Sequence, residues 1–251
     1  MKYSLLGVFI AGTLLMASPA LSLTTPGAAG TAGTALPAVR HLVYRFGYNT
    51  KATKEGTGTG TTTIDIVGLA ADGGMNVTAT DYWWNTVNPR QTSTCEIYTD
   101  GGVTCAQRPY VLSPIQVTIL SLLGRHYFSA LSGGTNVSWT KNFAVKASFA
   151  PIASTGFAGQ LYTWNCTNAL QAKGTTPNNG KPVVVIHGTG SMKQQGGRYI
   201  TANQKSTILF DPGLKIPVYL AEEFTFVPQR TTNRYTVELK LINYSTTPSS
   251  S

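Results

Sequence analysis

Most of the chain alternates apolar and polar residues with a period of two, which is typical of β-strands that bury one face. Leu, Tyr, Phe and Tyr fill every second position between residues 42 and 48, and residues 235–241 repeat the alternation against charged neighbours. About ten or eleven such segments follow one another, separated by turn signals such as Asn178-Asn179-Gly180. The pattern predicts a mainly β domain, built as an antiparallel meander with one dry and one wet face.

One segment has a helical period instead. Ser113 and Pro114 are the residue types of an N-cap and a first helical position. Apolar residues then recur at intervals of three and four up to Leu131, and Gly133-Gly134 marks the predicted end. A sheet of about ten strands must curl, split or close, and a single amphipathic helix needs an apolar surface to cover. We therefore predict a curved antiparallel sheet, half-barrel or barrel-like, with one amphipathic helix packed in it.

The first 22 residues break the alternation. They begin with Lys2, continue with an apolar run at residues 5–17 and end in small residues, which is the organisation of a secretory signal peptide. Cleavage is expected after Ser22, with Ala20 as the alternative. The apolar run is shorter than the about 20 residues that a membrane-spanning helix needs. We expect an exported protein, periplasmic or extracellular, with no transmembrane segment in the mature chain.

Composition divides the rest of the chain. Residues 23–38 are mostly Thr, Pro, Gly and Ala without charge, which predicts a flexible lead-in. Residues 245–251 predict a disordered tail. The segment between them, 39–244, is long enough to hide roughly 70–75% of its unfolded surface, so it needs neither a metal nor a disulfide framework to fold. We expect one β-rich domain there.

The use of cysteine fits an oxidising compartment. Cys95 and Cys105 bracket a predicted hairpin whose turn lies at Asp100-Gly101-Gly102. An odd number of loop residues puts the two cysteines opposite each other, about 4.5–5.5 Å apart at Cβ, which favours a disulfide. A two-residue loop would instead place Cys95 opposite Ala106 and strain the bond. Cys166 is left as a buried free thiol or as a competing partner, and the cysteines have no metal-ligand spacing.

Charged residues are few, and basic residues outnumber acidic ones. The chain has 19 Lys and Arg against 10 Asp and Glu, for a formal net charge of +9. The surplus favours an anionic partner, such as a component of the cell envelope. Basic residues scattered singly along a chain also serve solubility. No motif for nucleic-acid recognition is present, so we expect no nucleic-acid partner.

Two resemblances follow from these features. A signal peptide, a long antiparallel meander and a helix in its concavity together resemble the half-barrel of bacterial periplasmic lipoprotein carriers, over most of residues 40–244. The stretch 81–90, Asp-Tyr-Trp-Trp-Asn-Thr-Val-Asn-Pro-Arg, followed by Cys95 and Cys105, resembles a signature of a family of uncharacterised secreted bacterial proteins. The first resemblance implies a lipid-binding concavity, and the second implies no activity.

Few residues suggest catalysis. The three histidines have no metal-ligand spacing, so we expect no metal site. Glu222 and Glu223 are neighbours in a predicted strand and therefore point to opposite faces. With Asp81 they are the carboxylates worth testing as a catalytic pair. Nothing in the sequence brings them together, and we assign no catalytic residue and no cofactor.

Aromatic residues are the stronger candidates for binding. Tyr82-Trp83-Trp84 puts its two tryptophans on opposite faces of a strand, one in the core and one exposed. Such aromatics fit a large core, a pocket for an acyl chain or hydrophobic peptide, or a face that stacks sugar rings. The residues that face alternation places at a pocket beside the helix are Trp83, Trp139, Phe143, Leu161, Leu123 and Tyr127.

Two functions are therefore compatible with the sequence. The first is an exported, non-catalytic protein that binds an apolar or amphipathic ligand, a lipid or hydrophobic segment, in its concave sheet. The alternative is a structural or surface-interaction module of the cell envelope with a solid core and no ligand. A structure without a pocket beneath the helix would favour the alternative, and an enzyme is a third hypothesis.

Overall fold

The computed structural model describes residues 35–50, 57–84, 90–105, 111–149, 162–195, 201–227 and 233–248. The strands in these ranges are β1 (His41–Thr50), β2 (Thr57–Leu69), β3 (Met75–Trp83), β4 (Arg90–Ile97), β5 (Val103–Cys105), β6 (Val111–Leu112), β7 (Ser138–Phe149), β8 (Tyr162–Asn178), β9 (Lys181–Gln194), β10 (Thr201–Asp211), β11 (Ile216–Val227) and β12 (Asn233–Ser245). One α-helix, α1 (Pro114–Leu120), lies between β6 and β7.

The sheet closes into an eleven-stranded barrel. Strands β1 to β5 form an antiparallel meander, β7 to β12 form a second one, and β1 pairs with β12 to join them. At the other edge, β5 runs parallel to β7 and completes the ring, while β6 continues alongside β7. The prediction of a mainly β, curved antiparallel sheet is confirmed, but the half-barrel is wrong in detail because both edge strands find a partner.

The disulfide lies at the seam where the ring closes. Cys95 and Cys105 are direct partners in the β4–β5 ladder, and their sulfurs are bonded. Tyr98 N donates to Gly102 O at 2.8 Å, which leaves an odd, three-residue loop between them. The structure thus selects the odd-loop alternative, and Cys166 is a buried free thiol. The bond holds β5 in place, although β5 contributes only three residues to the ring.

Period-two alternation builds the core as predicted. The inward side chains of β1, Leu42, Tyr44 and Phe46, are almost completely buried, and those of β12 between 235 and 239 are buried in the same way. Trp164 on β8 is the largest fully buried side chain. The two strand faces therefore separate into a dry interior and a polar outer surface.

The helix is shorter than predicted. Its start is confirmed: Ser113 caps α1, accepts from Gln116 N, and completes a capping box with the Gln116 side chain. The α-helix ends at Leu120, however; short 3₁₀ segments at 121–123 and 129–133 follow, and Tyr127 lies in the turn between them. Gly124 is the C-cap of the first 3₁₀ segment, and it lies so close to the disulfide hairpin that an added Cβ would be 2.5 Å from Gly101 N. The helical turns therefore stop at this contact.

The ends of the chain are only partly described. The predicted signal peptide, residues 1–22, and most of the lead-in, 23–38, lie outside the described residues. Val39 is already buried, and β12 extends to Ser245, one residue into the predicted tail. In the ranges that the structure describes, no helix combines the length and the apolar character that crossing a membrane would require.

Candidate functional site

The interior of the barrel is filled largely by α1 and the turn that follows it. Ile115, Ile119 and Leu120 are fully buried, and Leu122 and Leu123 are nearly so. These side chains cover the inward faces of the strands, as a single apolar helix in a curved sheet should. The segment acts as an internal plug, and we use "plug" below for residues 113–123.

The first half of the plug is anchored by buried polar groups. Ser113 Oγ donates to the Asp81 carboxylate on β3. Ser93 Oγ on β4 donates to Gln116 Oε1 at 3.0 Å, and Gln116 Nε2 donates to Ala79 O at 3.2 Å. Burial raises the pKa of Asp81 to about 6, and the hydrogen bond from Ser113 opposes part of that rise.

The second half of the plug meets Glu222. This side chain points inward from β11 and is buried, whereas Glu223 points outward and forms an ion pair with Arg234. The prediction that the two carboxylates face opposite sides is confirmed. Burial raises the pKa of Glu222 to about 8, against a smaller lowering by the hydrogen bond from Thr118. Glu222 therefore keeps its proton through neutral pH.

A small void lies beside Glu222. Its volume is about 20 Å³, enough for roughly one water molecule. Its lining includes Thr118, Tyr127, Cys166 and Asn168, and Asn168 Nδ2 donates to Tyr127 Oη at 2.7 Å. Burial raises the pKa of the Cys166 thiol to about 12, so the thiol stays protonated and unreactive.

Two of the predicted pocket residues, Tyr127 and Phe143, line this void, and a third, Trp139, contacts Tyr127. Tyr127 is fully buried, its ring lies 5.9 Å from that of Phe143, and its carbonyl accepts from Trp139 Nε1 at 3.1 Å. Leu123 is buried in the same core cluster, and Trp139 and Phe143 are partly exposed. Leu161 lies outside the described residues.

Trp83 lies apart from that group. Its ring packs edge-on against Phe46 at 4.7 Å and Tyr48 at 5.8 Å. The close approach requires glycine at position 58, where an added Cβ would be 2.4 Å from the Trp83 ring. Trp84 points the other way and is 48% exposed, so the prediction of one core and one exposed tryptophan is confirmed.

The described residues contain no cluster of side chains that could hold a metal ion. No three or more His, Cys, Asp or Glu side chains converge in these ranges. His41 Nδ1 pairs with Asp65 at 2.8 Å across β1 and β2, and His187 Nδ1 lies 3.3 Å from Thr207 Oγ1. Asp81 and Glu222, two of the buried acids, each hydrogen-bond to a hydroxyl of the plug.

The outer face carries a second candidate site, which sequence reasoning missed. Strand register lines up one row of outward side chains across β3, β2, β1, β12 and β11. We call it the cationic row, and its members are Tyr82, Thr61, Arg45, Lys240 and Tyr219. Arg45 and Lys240 are direct cross-strand partners at its centre. The Arg45 guanidinium also lies 5.9 Å from the centre of the Trp84 ring.

An open depression of about 750 Å³ runs beside the cationic row, across β2, β1 and β12 to β9. Small residues keep its floor low: Gly47 and Ala221 each pair with Glu238, and Thr59 and Thr207 continue the line. Strands about 4.8 Å apart give the depression a length of about 24 Å over six strands. The polar floor, the cations at one edge and Trp84 near one end form an elongated site, which we call the outer groove.

No protein-family model matches this chain. No curated protein matches it either. The chain combines a closed barrel, a plug that hydrogen-bonds to buried acids, and an outer groove bordered by cations and aromatic rings.

Proposed function

We propose that the protein is a non-catalytic binding module that holds its ligand on the outer face of the barrel, in the outer groove. The proposal shares its filled interior with the surface-interaction module considered in the sequence analysis, but it differs from that alternative in having a ligand. The observation that carries it is the contrast between an interior occupied by the plug and a large open groove with exposed cations and aromatics.

The interior offers little room in the described residues. Pockets for small molecules usually enclose about 300–1,000 Å³. The void beneath the plug measures about 20 Å³, so an acyl chain would enter only if the plug moved. Moving the plug would expose Ile115, Ile119 and Leu120 or require the ligand to replace them.

The apolar-ligand hypothesis is kept as a second proposal because of one observation. The partly exposed ring of Phe143 lines the void beside Tyr127, and the partly exposed Trp139 contacts Tyr127, so a ligand could approach the void from this side. In this proposal a lipid or hydrophobic segment displaces the plug and takes its place against the inward faces of the strands.

Native mass spectrometry of the protein purified from its own export compartment tests the two proposals. Outer-face binding predicts a bare polypeptide mass, two hydrogens light for the Cys95–Cys105 bond, and no uptake of a fluorescent fatty acid. A bound mass that organic solvent removes, together with fatty-acid uptake, would overturn the outer-face proposal in favour of the interior one.

A further inference from the structure

We propose that the ligand of the outer groove is a linear polysaccharide that bears carboxylate groups. This inference rests on the outer-face function proposed above and names the chemistry of its ligand. Two features of the groove carry the inference: two adjacent cations and the aromatic rings that border them.

The two central cations are placed against each other. Arg45 on β1 and Lys240 on β12 are direct cross-strand partners, and both side chains are exposed. Like charges directly opposite each other in a sheet are destabilising. An anionic group between them removes this repulsion, and the planar guanidinium matches a carboxylate in bidentate geometry.

Aromatic rings flank the cations on both sides. Tyr82 is 51% exposed and Trp84 is 48% exposed on the β3 side. On the other side, Tyr219 is the direct partner of Lys240. Exposed aromatic faces next to a polar floor suit the apolar faces of sugar rings, whose hydroxyls can pair with the floor. Arg45 beside the Trp84 ring also holds that ring in place.

The acidic side chains of this face have partners. Glu223 forms its ion pair with Arg234, and the Tyr219 hydroxyl donates to Glu238. The hydrogen bond and the nearby charge of Glu238 raise the pKa of Tyr219, after burial as the main cause. The neutral Tyr219 hydroxyl does not balance the charge of a carboxylate, so Glu238 on the groove floor disfavours an acidic group above it. The carboxylates of the ligand therefore belong at the edge of the groove, against Arg45 and Lys240.

The shape of the site favours a chain molecule over a membrane surface. The groove crosses six strands, and its floor consists of small and polar residues together with the carboxylates Glu223 and Glu238. A flat surface that touched the edges of the groove would not reach this floor. The exposed apolar residues Val67 and Leu69 lie at the far end of β2, away from Gly58 and Thr59 in the groove. An extended polymer can follow the floor and meet both edges.

Titration calorimetry with polygalacturonate as the acidic polymer and dextran as the neutral polymer tests the inference. The wild-type protein should bind polygalacturonate and not dextran, and added salt should weaken binding because the charges are exposed. The double variant Arg45→Thr/Lys240→Thr should lose about tenfold or more in affinity. Trp84→Ala should lose about fivefold.

Lys146→Thr is the matched control. Lys146 is also exposed and outward, but it lies on β7, five strands from β12 in the ring. The affinity of the Lys146→Thr variant for polygalacturonate should stay within about twofold of wild type. Unchanged thermal midpoints in all variants would exclude unfolding as the cause of lost binding.

Other outcomes overturn the inference in distinguishable ways. Binding of dextran with equal affinity would make the ligand neutral, and binding only to anionic vesicles or to a single-stranded oligonucleotide would replace the polysaccharide with another partner. If the protein has a bare mass in native mass spectrometry and does not bind polygalacturonate, the polysaccharide inference is refuted and the proposed outer-face function is not. A strippable interior ligand would instead refute the outer-face function on which the inference rests.

Discussion

The interior and the outer face of this barrel differ in how they place charged side chains. Inside, Asp81 and Glu222 are buried and each receives a hydrogen bond from a plug hydroxyl. Outside, Arg45 and Lys240 stand side by side in the exposed part of the sheet. The interior acids therefore connect the plug to the strands, whereas two like charges that face each other are unfavourable for the sheet. Charged groups that are placed unfavourably for stability are the ones to test for binding.

The largest expected effect of this contrast is on pH dependence. The pKa of Glu222 is raised from 4.5 to about 8, so between these values the unfolded chain loses a proton that the folded chain keeps. Its stabilising contribution is complete below pH 4.5 and is lost as the pH rises through 8. The free energy of unfolding should fall by as much as about 1.4 kcal/mol per pH unit in this window.

Glu222→Gln should remove that slope, because the amide stays neutral and can still accept from Thr118. Urea unfolding at pH 6.5, 7, 7.5 and 8 measures this slope, because burial raises the pKa of Asp81 only to about 6 and its own contribution is largely lost below this range. Glu223→Gln is the control on the same strand and should leave the slope unchanged, since its exposed ion pair contributes only about 0–1 kcal/mol. Equal slopes in wild type and Glu222→Gln would show that Glu222 is ionised in the fold.

The second prediction compares one substitution in the two regions. Ile119→Ala leaves a cavity in the plug and should lower the free energy of unfolding by about 2–5 kcal/mol. Ile242→Ala removes a side chain that is 47% exposed and should change the free energy of unfolding by about 0.5 kcal/mol. Chemical denaturation of both variants measures the difference. Similar, small losses would mean that the plug packs loosely and can leave the barrel.

The third prediction concerns the seam of the ring. Cys95→Ala/Cys105→Ala should cost about 3 kcal/mol, because the bond closes a short loop and fixes β5 against β4. Cys166→Ala is the control for loss of a buried sulfur and should cost about 1 kcal/mol. Thermal unfolding with and without a reductant gives the same comparison. A wild-type protein that is insensitive to reductant would show that the β5–β7 pairing closes the ring unaided.

Local patterns predicted much of the fold. Alternation identified the long strands, the Ser113 cap identified the start of α1, and the spacing of Cys95 and Cys105 identified the disulfide hairpin. Closure could not be predicted, because the parallel β5–β7 pairing joins segments that no local signal relates. The length of the helix was missed for a similar reason, since the contact of Gly124 with the hairpin is non-local.

The candidate sites also contain residues that local patterns grouped correctly and residues that they did not group. The grouping of Tyr127 with Trp139 and Phe143 followed from helical and strand periodicity, which place them on inward faces. The pairing of Arg45 with Lys240 did not follow, because the register of β1 and β12 shifts at a bulge between Val43 and Tyr44. An alternation pattern gives the face of a residue but not its partner on the next strand.

The smallest expected effect is the one that decides whether the cationic row is structural. Lys240→Thr removes one of two like charges that face each other, so the free energy of unfolding should stay within about 0.5 kcal/mol of wild type or rise slightly at low salt. Salt should abolish any gain, because it screens exposed charges. Chemical denaturation of wild type and variant at low and high salt measures the change in the free energy of unfolding and its dependence on salt. A loss of more than about 1 kcal/mol would mean that Lys240 stabilises the sheet, for example through its partner Tyr219, and would give the cation a structural role. Stability that does not need Lys240, together with lost polygalacturonate binding, assigns the residue to the ligand.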